Sequence, residues 1–246
     1  VVHDMFFNVD GQDIYKKVSH LDHPDRCIVL LDHAVPAPTT RDAAGAVYAR
    51  KFCAKHGIRN FIDVGDHAVI HQAMAERGYA APGRLLVGAD SHTCSSGAFN
   101  CASRGLGPAD MTYVFCTGET WFTAAPTILY RLSGELPKGV TGKDVFLYIA
   151  GIYGDATGMN VEFAGSGLAS LSISQRQSIS TMCAEINAEF VVFPYDDRLK
   201  AYLKERGDED IDPIEPDADA EYYDIRDINL SDMVPYVAKP DFIPGN

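Results

Sequence analysis

Three groups of chemically active side chains lie at the end or on the flank of an apolar stretch, all before residue 100. These groups are Asp32 with His33, His71 with Gln72, and Asp90 with Ser91 and His92. A carboxylate that accepts a hydrogen bond from an imidazole fixes the tautomer of the ring and raises its basicity. Two or more such Asp–His pairs around one cleft would suit either proton transfer or metal binding.

The apolar stretches alternate with segments of helical composition. In chain order, strand, helix, strand, helix and strand are predicted for "CIVLL", "RDAAGAVYARKFCAKHG", "RNFIDVG", "HAVIHQAMAERG" and "GRLLVGAD". Gly57 supplies the stop of the first helix. This alternation at short spacing predicts a parallel sheet with crossover helices. Since the carboxyl ends of parallel strands share one edge, we expect the three polar groups to converge there.

Each group also has a purely structural interpretation. Asp90 and Ser91 are common helix N-cap residues. Asp32 and His33 stand before "VPAP" and would serve equally well in a turn. His71 lies within "AVIHQAM", where a partly buried helix histidine is more common than a ligand. The joint occurrence of the groups favours the functional interpretation more than any single motif does.

A second α/β region is predicted beyond residue 120. Its strands are predicted in "TILYRLSGELPKGV", "MNVEFAGSGLASL" and "FVVFPYDD", and its helices in "GKDVFLYIAGIYG", "SQRQSISTMCAEINAE" and "DDRLKAYLKERG". The second of these helices places Ser178, Met182 and Glu185 along one face, where a glutamate is by default a surface or capping residue. We therefore expect an α/β fold of mixed and parallel sheets flanked by helices, with domains at 1–124 and 125–246.

Composition excludes several classes of function. The 246 residues carry 34 acidic against 21 basic side chains, and the net charge of -13 argues against a nucleic-acid surface. The acidic excess between Glu205 and Asp232 is typical of a solvated face. No apolar run approaches the roughly 20 residues of a membrane span, so we expect no membrane partner and a cytoplasmic location.

The six cysteines indicate a reducing compartment. They stand at positions 27, 53, 94, 101, 116 and 183, and no two of them form a CxxC pair. This spacing is neither a disulfide framework nor a self-contained zinc or iron–sulfur site. We expect ordinary, mostly buried thiols and no metal ligand among them.

A long ordered series of motifs resembles the aconitase superfamily. The motifs are "LLDHAVPA", "VIHQ", "PGRLLVGADSHTCSSGAF", "LPKGVTGKDVFLYIAGIYG" and "ISTMCAEINAEFVVFPYDD". The strongest resemblance is to large subunits of the 3-isopropylmalate dehydratase and homoaconitase type, and it runs from about His3 to the end of the chain. It implies the three-layer α/β fold of that superfamily, with its first two domains in this chain and its third domain absent from it.

The resemblance also implies an activity. The chain would be part of a hydro-lyase that removes and re-adds water across a hydroxylated di- or tricarboxylate. Such enzymes use a 4Fe-4S cluster with one iron free to bind substrate, and a small subunit that carries a swivelling domain. The small-molecule partner would therefore be a hydroxy carboxylate, and the substrate selectivity would depend largely on residues outside this chain.

The family roles transfer onto matching positions. By resemblance, His33 with its partner Asp32 would protonate the departing hydroxyl, and Asp90 would orient His71. His92 would contact the substrate or a cluster-bound water. Glu185 would steady His92. The remaining implied residues would bind the substrate, and they are His3, Ser91 and Gln72.

The sequence departs from the family in two respects. The cluster cysteines of the family, its serine base and several substrate-binding arginines match no residue here, so we expect the cluster ligands beyond residue 246. Thr181 in "ISTM" replaces the asparagine of the common "ICNM".

Two alternatives remain. One is a non-enzymatic descendant of the aconitase fold. The other is a cluster-free mononuclear metal hydrolase with His33, His71 and His92 as ligands.

Overall fold

A computed structural model gives the fold and describes residues 1–8, 14–66, 69–207 and 211–240. The strands are β1 (Val2–His3), β2 (Ile28–Leu30), β3 (Asn60–Ile62), β4 (Leu85–Gly88), β5 (Ala102–Gly105), β6 (Thr127–Ser133), β7 (Asn160–Ala164), β8 (Val191–Val192) and β9 (Asp224–Asn229). The α-helices are α1 (Thr40–His56), α2 (Ile70–Glu76), α3 (Pro108–Thr117), α4 (Gly142–Tyr153), α5 (Ile173–Met182) and α6 (Asp197–Lys204). Short 3-10 helices cover Asp4–Phe7, Ile14–Lys17, Pro24–Arg26, Ser91–Phe99, Ser166–Ser170, Cys183–Ile186 and Leu230–Asp232.

The chain forms two compact units that are interleaved in sequence. Unit 1 comprises Val1–Ala73, Val87–Thr93 and Gly105–Thr123, and unit 2 comprises Met74–Leu86, Cys94–Arg104 and Ala124–Asn246. The proposed family domains at 1–124 and 125–246 stay a prediction.

Unit 1 contains a parallel sheet in the order β1-β2-β3. Val2 pairs with Val29, and Ile28 pairs with Asn60. All three residues of β2 are buried, as expected for a strand covered on both faces. Helix α1 crosses between β2 and β3. The side chain of Thr39 caps its N-terminus, and Gly57, at φ 70°, ends it in the left-handed conformation that favours glycine.

The sequence predicts that the first three predicted strands, which correspond to β2, β3 and β4, form one sheet. This prediction is wrong for β4. That strand forms a two-stranded sheet with β5 instead of pairing with β2 or β3. Its carboxyl end nevertheless lies beside β1, because the Val1 amino group donates to the Val87 carbonyl at 2.7 Å and the Ala89 N–H donates to the Val1 carbonyl at 3.1 Å. The two-residue strand β1, which the sequence pattern did not reveal, thus lies between β2 and the end of β4.

Unit 2 is built on a second parallel sheet in the order β8-β7-β6-β9. Its core includes Phe163, whose ring stacks on Phe193 at 4.4 Å between ring centres. Strand β9 lies inside the acidic segment that was expected to be a solvated face only. That expectation is wrong for Ile228, which is buried and pairs with Leu132 of β6.

The structure confirms the α/β class, with parallel sheets flanked by helices. The pairings β1–β2, β2–β3, β6–β7, β6–β9 and β7–β8 are all parallel. Within the described part of the chain, no helix combines the length and the apolar character that crossing a membrane requires.

Candidate active site

The candidate site lies in unit 1, where the ends of several elements bring polar side chains together. The contributing segments are the end of β1, the turn after β2, the first turn of α2 and the residues after β4. The residues that contact one another there are His3, Asp32, His33, His71, Asp90 and His92, together with Asp4. Most of the residues predicted from the three polar groups therefore converge at one place.

His33 is held between two carboxylates. Its Nδ1 lies 2.6 Å from Oδ1 of Asp32, and its Nε2 lies 2.8 Å from Oδ2 of Asp90. Hydrogen bonds to Asp32 and then to Asp90 raise the pKa of His33 to about 10, against the opposing effect of burial. The ring is therefore an imidazolium at neutral pH, and both of its N–H groups donate to a carboxylate oxygen.

Asp90 is the acceptor that joins the groups. One of its oxygens accepts from His33, while the other accepts the backbone N–H of His92 at 2.7 Å and lies 3.1 Å from Nε2 of His71. Burial acts to raise the pKa of Asp90, but hydrogen bonds from His33 and His71 outweigh it and hold the pKa far below its ordinary value. Asp90 is an ionised acceptor that orients both rings.

Asp32 connects His33 to helix α2. Its Oδ1 accepts from His33, and its Oδ2 accepts the N–H of Ile70 at 2.7 Å. Ile70 is the first residue of α2, so the carboxylate binds one of the N–H groups that a helix leaves without an intrahelical acceptor. The same side chain therefore fixes the His33 ring and the helix turn that carries His71.

His3 covers one face of His33. The two rings stack at 3.8 Å between centres with an interplanar angle of 18°. Nδ1 of His3 accepts the N–H of Met5 at 3.2 Å, which places the hydrogen of the neutral ring on Nε2. Burial, and then the positive charge of His33, lower the pKa of His3. A neutral ring thus lies against a charged one, and the predicted substrate contact of His3 stays a prediction.

Asp4 belongs to this cluster, although the sequence analysis did not identify it. Its side chain is buried, and it accepts N–H groups from the turn that carries His33. A lone aspartate after a two-residue strand has no periodic pattern that would mark it. Its position directly after His3 was the one available signal.

Three of the predicted residues lie at the rim of the cluster, namely Ser91, His92 and Gln72. Ser91 is exposed, with its Oγ 3.4 Å from Nδ1 of His92. The rings of His92 and His71 meet edge to face at 6.2 Å. Gln72, the residue after His71, is exposed. Side chains at the rim can reach a bound molecule, and their predicted substrate or catalytic roles remain predictions.

Glu185 and Thr181 lie in unit 2. Helix α5 ends at Met182, so Glu185 is carried by the 3-10 helix Cys183–Ile186, where it is exposed. Its predicted support of His92 is untested. The Oγ1 of Thr181 donates to the carbonyl of Gln177 at 2.6 Å, so this hydroxyl is bonded within its own helix.

The described residues form three groups whose ligand atoms are close enough for a metal ion: His3, His33 and Asp90; His71, Asp90 and His92; and Asp4, Asp32 and His33. The ligand set of the hydrolase alternative, His33 with His71 and His92, is not one of them. Both nitrogens of His33 already contact a carboxylate, so the ring has no free lone pair for a metal.

The cysteines do not fit a 4Fe-4S cluster. All six are free thiols, and none belongs to a group of potential ligands formed by the described residues. Burial raises the pKa of Cys53 and of Cys101 to about 12, and that of Cys183 well above its ordinary value. Cluster ligands must be thiolates, which such burial disfavours. The chemistry that this chain supplies is therefore that of its own imidazole and carboxylate side chains.

Comparison with known families identifies the chain. The family model described as "Aconitase family (aconitate hydratase)" matches residues 7–244. The chain belongs to the aconitase family. This membership confirms the resemblance seen in the motifs, and it agrees with the α/β fold.

Curated relatives of this aconitase-family chain are named as dehydratase large subunits. The 3-isopropylmalate dehydratase large subunit of Mycolicibacterium smegmatis is 52% identical over 89% of the chain and 52% of its own length. Large subunit 1 of the same enzyme from Methanopyrus kandleri is 38% identical over 100% of the chain and 59% of its own length. The 2,3-dimethylmalate dehydratase large subunit of Eubacterium barkeri is 34% identical over 99% of the chain and 56% of its own length. The aconitase-family chain thus spans little more than half the length of these relatives.

Proposed function

We propose that this chain supplies acid–base residues to a hydro-lyase that acts on a hydroxy di- or tricarboxylate. The observation that carries the proposal is the position of the His33 ring, with one nitrogen 2.6 Å from Asp32 and the other 2.8 Å from Asp90. A protonated side chain at a strand end is suited to deliver a proton to a leaving hydroxyl. The names of the relatives, all dehydratases, support this class of reaction.

The proton would leave from Nε2 of His33. In the structure this N–H donates to Oδ2 of Asp90 at 2.8 Å, so a substrate hydroxyl must replace that oxygen as the acceptor. As the C–O bond breaks, the bonding electrons go to the hydroxyl oxygen, which takes the Nε2 proton and departs as water. The ring becomes neutral and keeps its Nδ1 hydrogen bond to Asp32. The removal of the carbon-bound proton is not assigned to this chain.

The other site residues would orient the reactants. Asp90 would hold His71 in one tautomer through its contact with Nε2. His3, Ser91, Gln72 and His92 would contact the substrate, and Glu185 would support His92. These roles rest on the family resemblance, together with the convergence of the unit 1 residues.

The finer proposal is an enzyme of the 3-isopropylmalate dehydratase type. It includes a 4Fe-4S cluster held by cysteines outside this chain, since the six present do not form its ligand set. It also includes a small-subunit partner, which the name "large subunit" of the relatives suggests. A cytoplasmic location is part of the proposal and agrees with the six free thiols.

The test uses the complete protein that contains this chain, co-expressed with its small subunit and kept anaerobic. Dehydration of 3-isopropylmalate, 2,3-dimethylmalate and citrate is followed by the ultraviolet absorbance of the alkene product. We expect turnover of at least one alkyl-substituted malate. No turnover of any of the three by cluster-loaded enzyme would favour the non-enzymatic descendant. A bound metal ion without sulfide, together with no dehydration, would favour the metal hydrolase.

A further inference from the structure

The Asp4 carboxylate is buried, with only 1% of the residue exposed. Its Oδ1 accepts the N–H groups of Asp32 at 3.3 Å and of His33 at 3.0 Å, and its Oδ2 accepts the N–H of Ala34 at 2.7 Å. Three consecutive backbone donors thus point at one carboxylate. A buried charge needs such partners, and backbone N–H groups that converge in this way bind anions well.

These three bonds restrain the backbone of the turn that carries the proposed acid. Asp32 and His33 lie beyond the end of β2 at Leu30, outside the residues that pair in the described sheet. With the peptide groups of residues 32 to 34 bound to Asp4, the direction in which the His33 side chain leaves the backbone is restricted. Its ring then meets Asp32 at 2.6 Å and Asp90 at 2.8 Å.

The residue before Asp4 restrains the same histidine from another side. The ring of His3 stacks on that of His33, and Nδ1 of His3 is anchored by the N–H of Met5. His3 therefore limits the tilt of the His33 ring, while Asp4 limits its backbone. Two neighbouring residues at the end of β1 thus hold one side chain by different means.

We propose that Asp4 is a positioning residue for the reaction, which acts through His33 by binding the backbone of residues 32 to 34. This proposal rests on the proposed function, in which His33 is the proton donor. Asp4 does not touch the substrate in this account. Its loss should therefore lower turnover without a comparable loss of substrate affinity, because misplacement of a reacting group by about 1 Å can cost roughly a hundredfold in rate.

The test is a double-mutant cycle in the complete two-subunit enzyme, with cluster content and folded fraction measured for every variant. Asp4→Asn keeps the shape of the side chain but replaces one acceptor oxygen with an NH2 donor, which opposes at least one of the three backbone N–H groups. We expect kcat to fall by about tenfold to a hundredfold and KM to change by less than about threefold. In the His33→Asn background, Asp4→Asn should change kcat by less than about twofold, since a residue that acts through His33 has nothing left to position.

Asp144 provides a matched control. It is also a buried aspartate that accepts backbone N–H groups, from Thr141 at 2.7 Å and from Tyr236 at 2.8 Å. It lies in unit 2, and among the described residues its hydrogen bonds reach no proposed site residue. Asp144→Asn should lower Tm as Asp4→Asn does and leave kcat within about twofold of the wild-type value. This control separates the general effect of losing a buried carboxylate from the specific effect of misplacing His33.

The outcomes separate this proposal from the proposed function. If His33→Asn impairs turnover but Asp4→Asn does not, or if the two losses multiply in the double variant, the positioning role is wrong and the proposed acid stands. If His33→Asn itself turns over like the wild type, both are wrong. Should Asp4→Asn fail to fold, Asp4→Glu, which keeps a charged acceptor, replaces it in the same cycle with the same criteria.

Discussion

Nε2 of His33 lies 2.8 Å from Oδ2 of Asp90, although 57 residues separate the two in sequence. The contact forms because the turn after β2 and the residues after β4 meet at one edge of unit 1. Hydrogen bonds to Asp32 and then to Asp90 raise the pKa of His33 to about 10.

Stability should depend on the charge of His33. Its folded-state pKa of about 10 lies above the ordinary value of 6.5, so the folded state holds the proton more tightly than the unfolded state. The resulting stabilisation is complete below pH 6.5 and is lost as the pH rises from there to about 10. The Tm difference between wild type and His33→Asn should therefore shrink across this range. A difference that stays constant with pH would contradict the charged ring.

Removal of either carboxylate should lower the pKa of His33. Asp32→Asn and Asp90→Asn each remove a charged acceptor, and the hydrogen bond that His33 donates to Asp32 is the largest cause of the elevated pKa. The alkaline limb of kcat/KM for dehydration should therefore move to lower pH, further for Asp32→Asn than for Asp90→Asn. The measurement is the pH dependence of kcat/KM. A limb that stays in place in both variants would assign it to another group.

Ser91 should act mainly on substrate binding. In its proposed role this exposed hydroxyl would contact the substrate equally in the ground state and the transition state, and such a contact affects affinity more than turnover. Ser91→Ala should raise KM by about threefold to tenfold and leave kcat within about threefold. Ser178→Ala is the matched control, since Ser178 is exposed on α5 and its Oγ donates to the Ser174 carbonyl. A fall in kcat with an unchanged KM for Ser91→Ala would point to a catalytic hydroxyl.

Much of the fold follows from the sequence, because long periodic segments mark their own elements. The helix predicted before Gly57 ends at His56, and each strand predicted beyond residue 120 is present. Strand β1 was missed because two residues are too few for a pattern. Strand β9 was missed because three of its six residues are charged, so its sequence resembles that of a solvated segment.

The candidate site was predictable only in part. The convergence of His33, His71 and Asp90 was predicted from strand ends on one sheet edge, but Asp90 follows β4, which pairs with β5 and not with β2 or β3. The role of Asp4 does not, because it depends on backbone N–H groups of a distant turn, which carry no side-chain signature. The place of β4 depends on hydrogen bonds to Val1, which local pattern cannot indicate.

The 246-residue chain alone should bind no 4Fe-4S cluster. Its cysteines form no ligand group within the described residues, and burial disfavours the thiolates of Cys53, Cys101 and Cys183. After anaerobic reconstitution with iron and sulfide and gel filtration of the folded chain, we expect neither a visible charge-transfer band nor bound sulfide. Stoichiometric sulfide with a stable band would show that these cysteines do hold a cluster.

Turnover of the His33→Ala enzyme tests the central claim most directly. The complete two-subunit enzyme is assayed with its cluster content matched to that of the wild type, so that lost iron is not mistaken for lost acid catalysis. If His33 delivers the proton to the leaving hydroxyl, kcat should fall by about a hundredfold to ten-thousandfold, with a much smaller change in KM. Wild-type turnover in the cluster-loaded variant would show that the proton comes from another group, and that the Asp32–His33–Asp90 arrangement serves the structure of the turn alone.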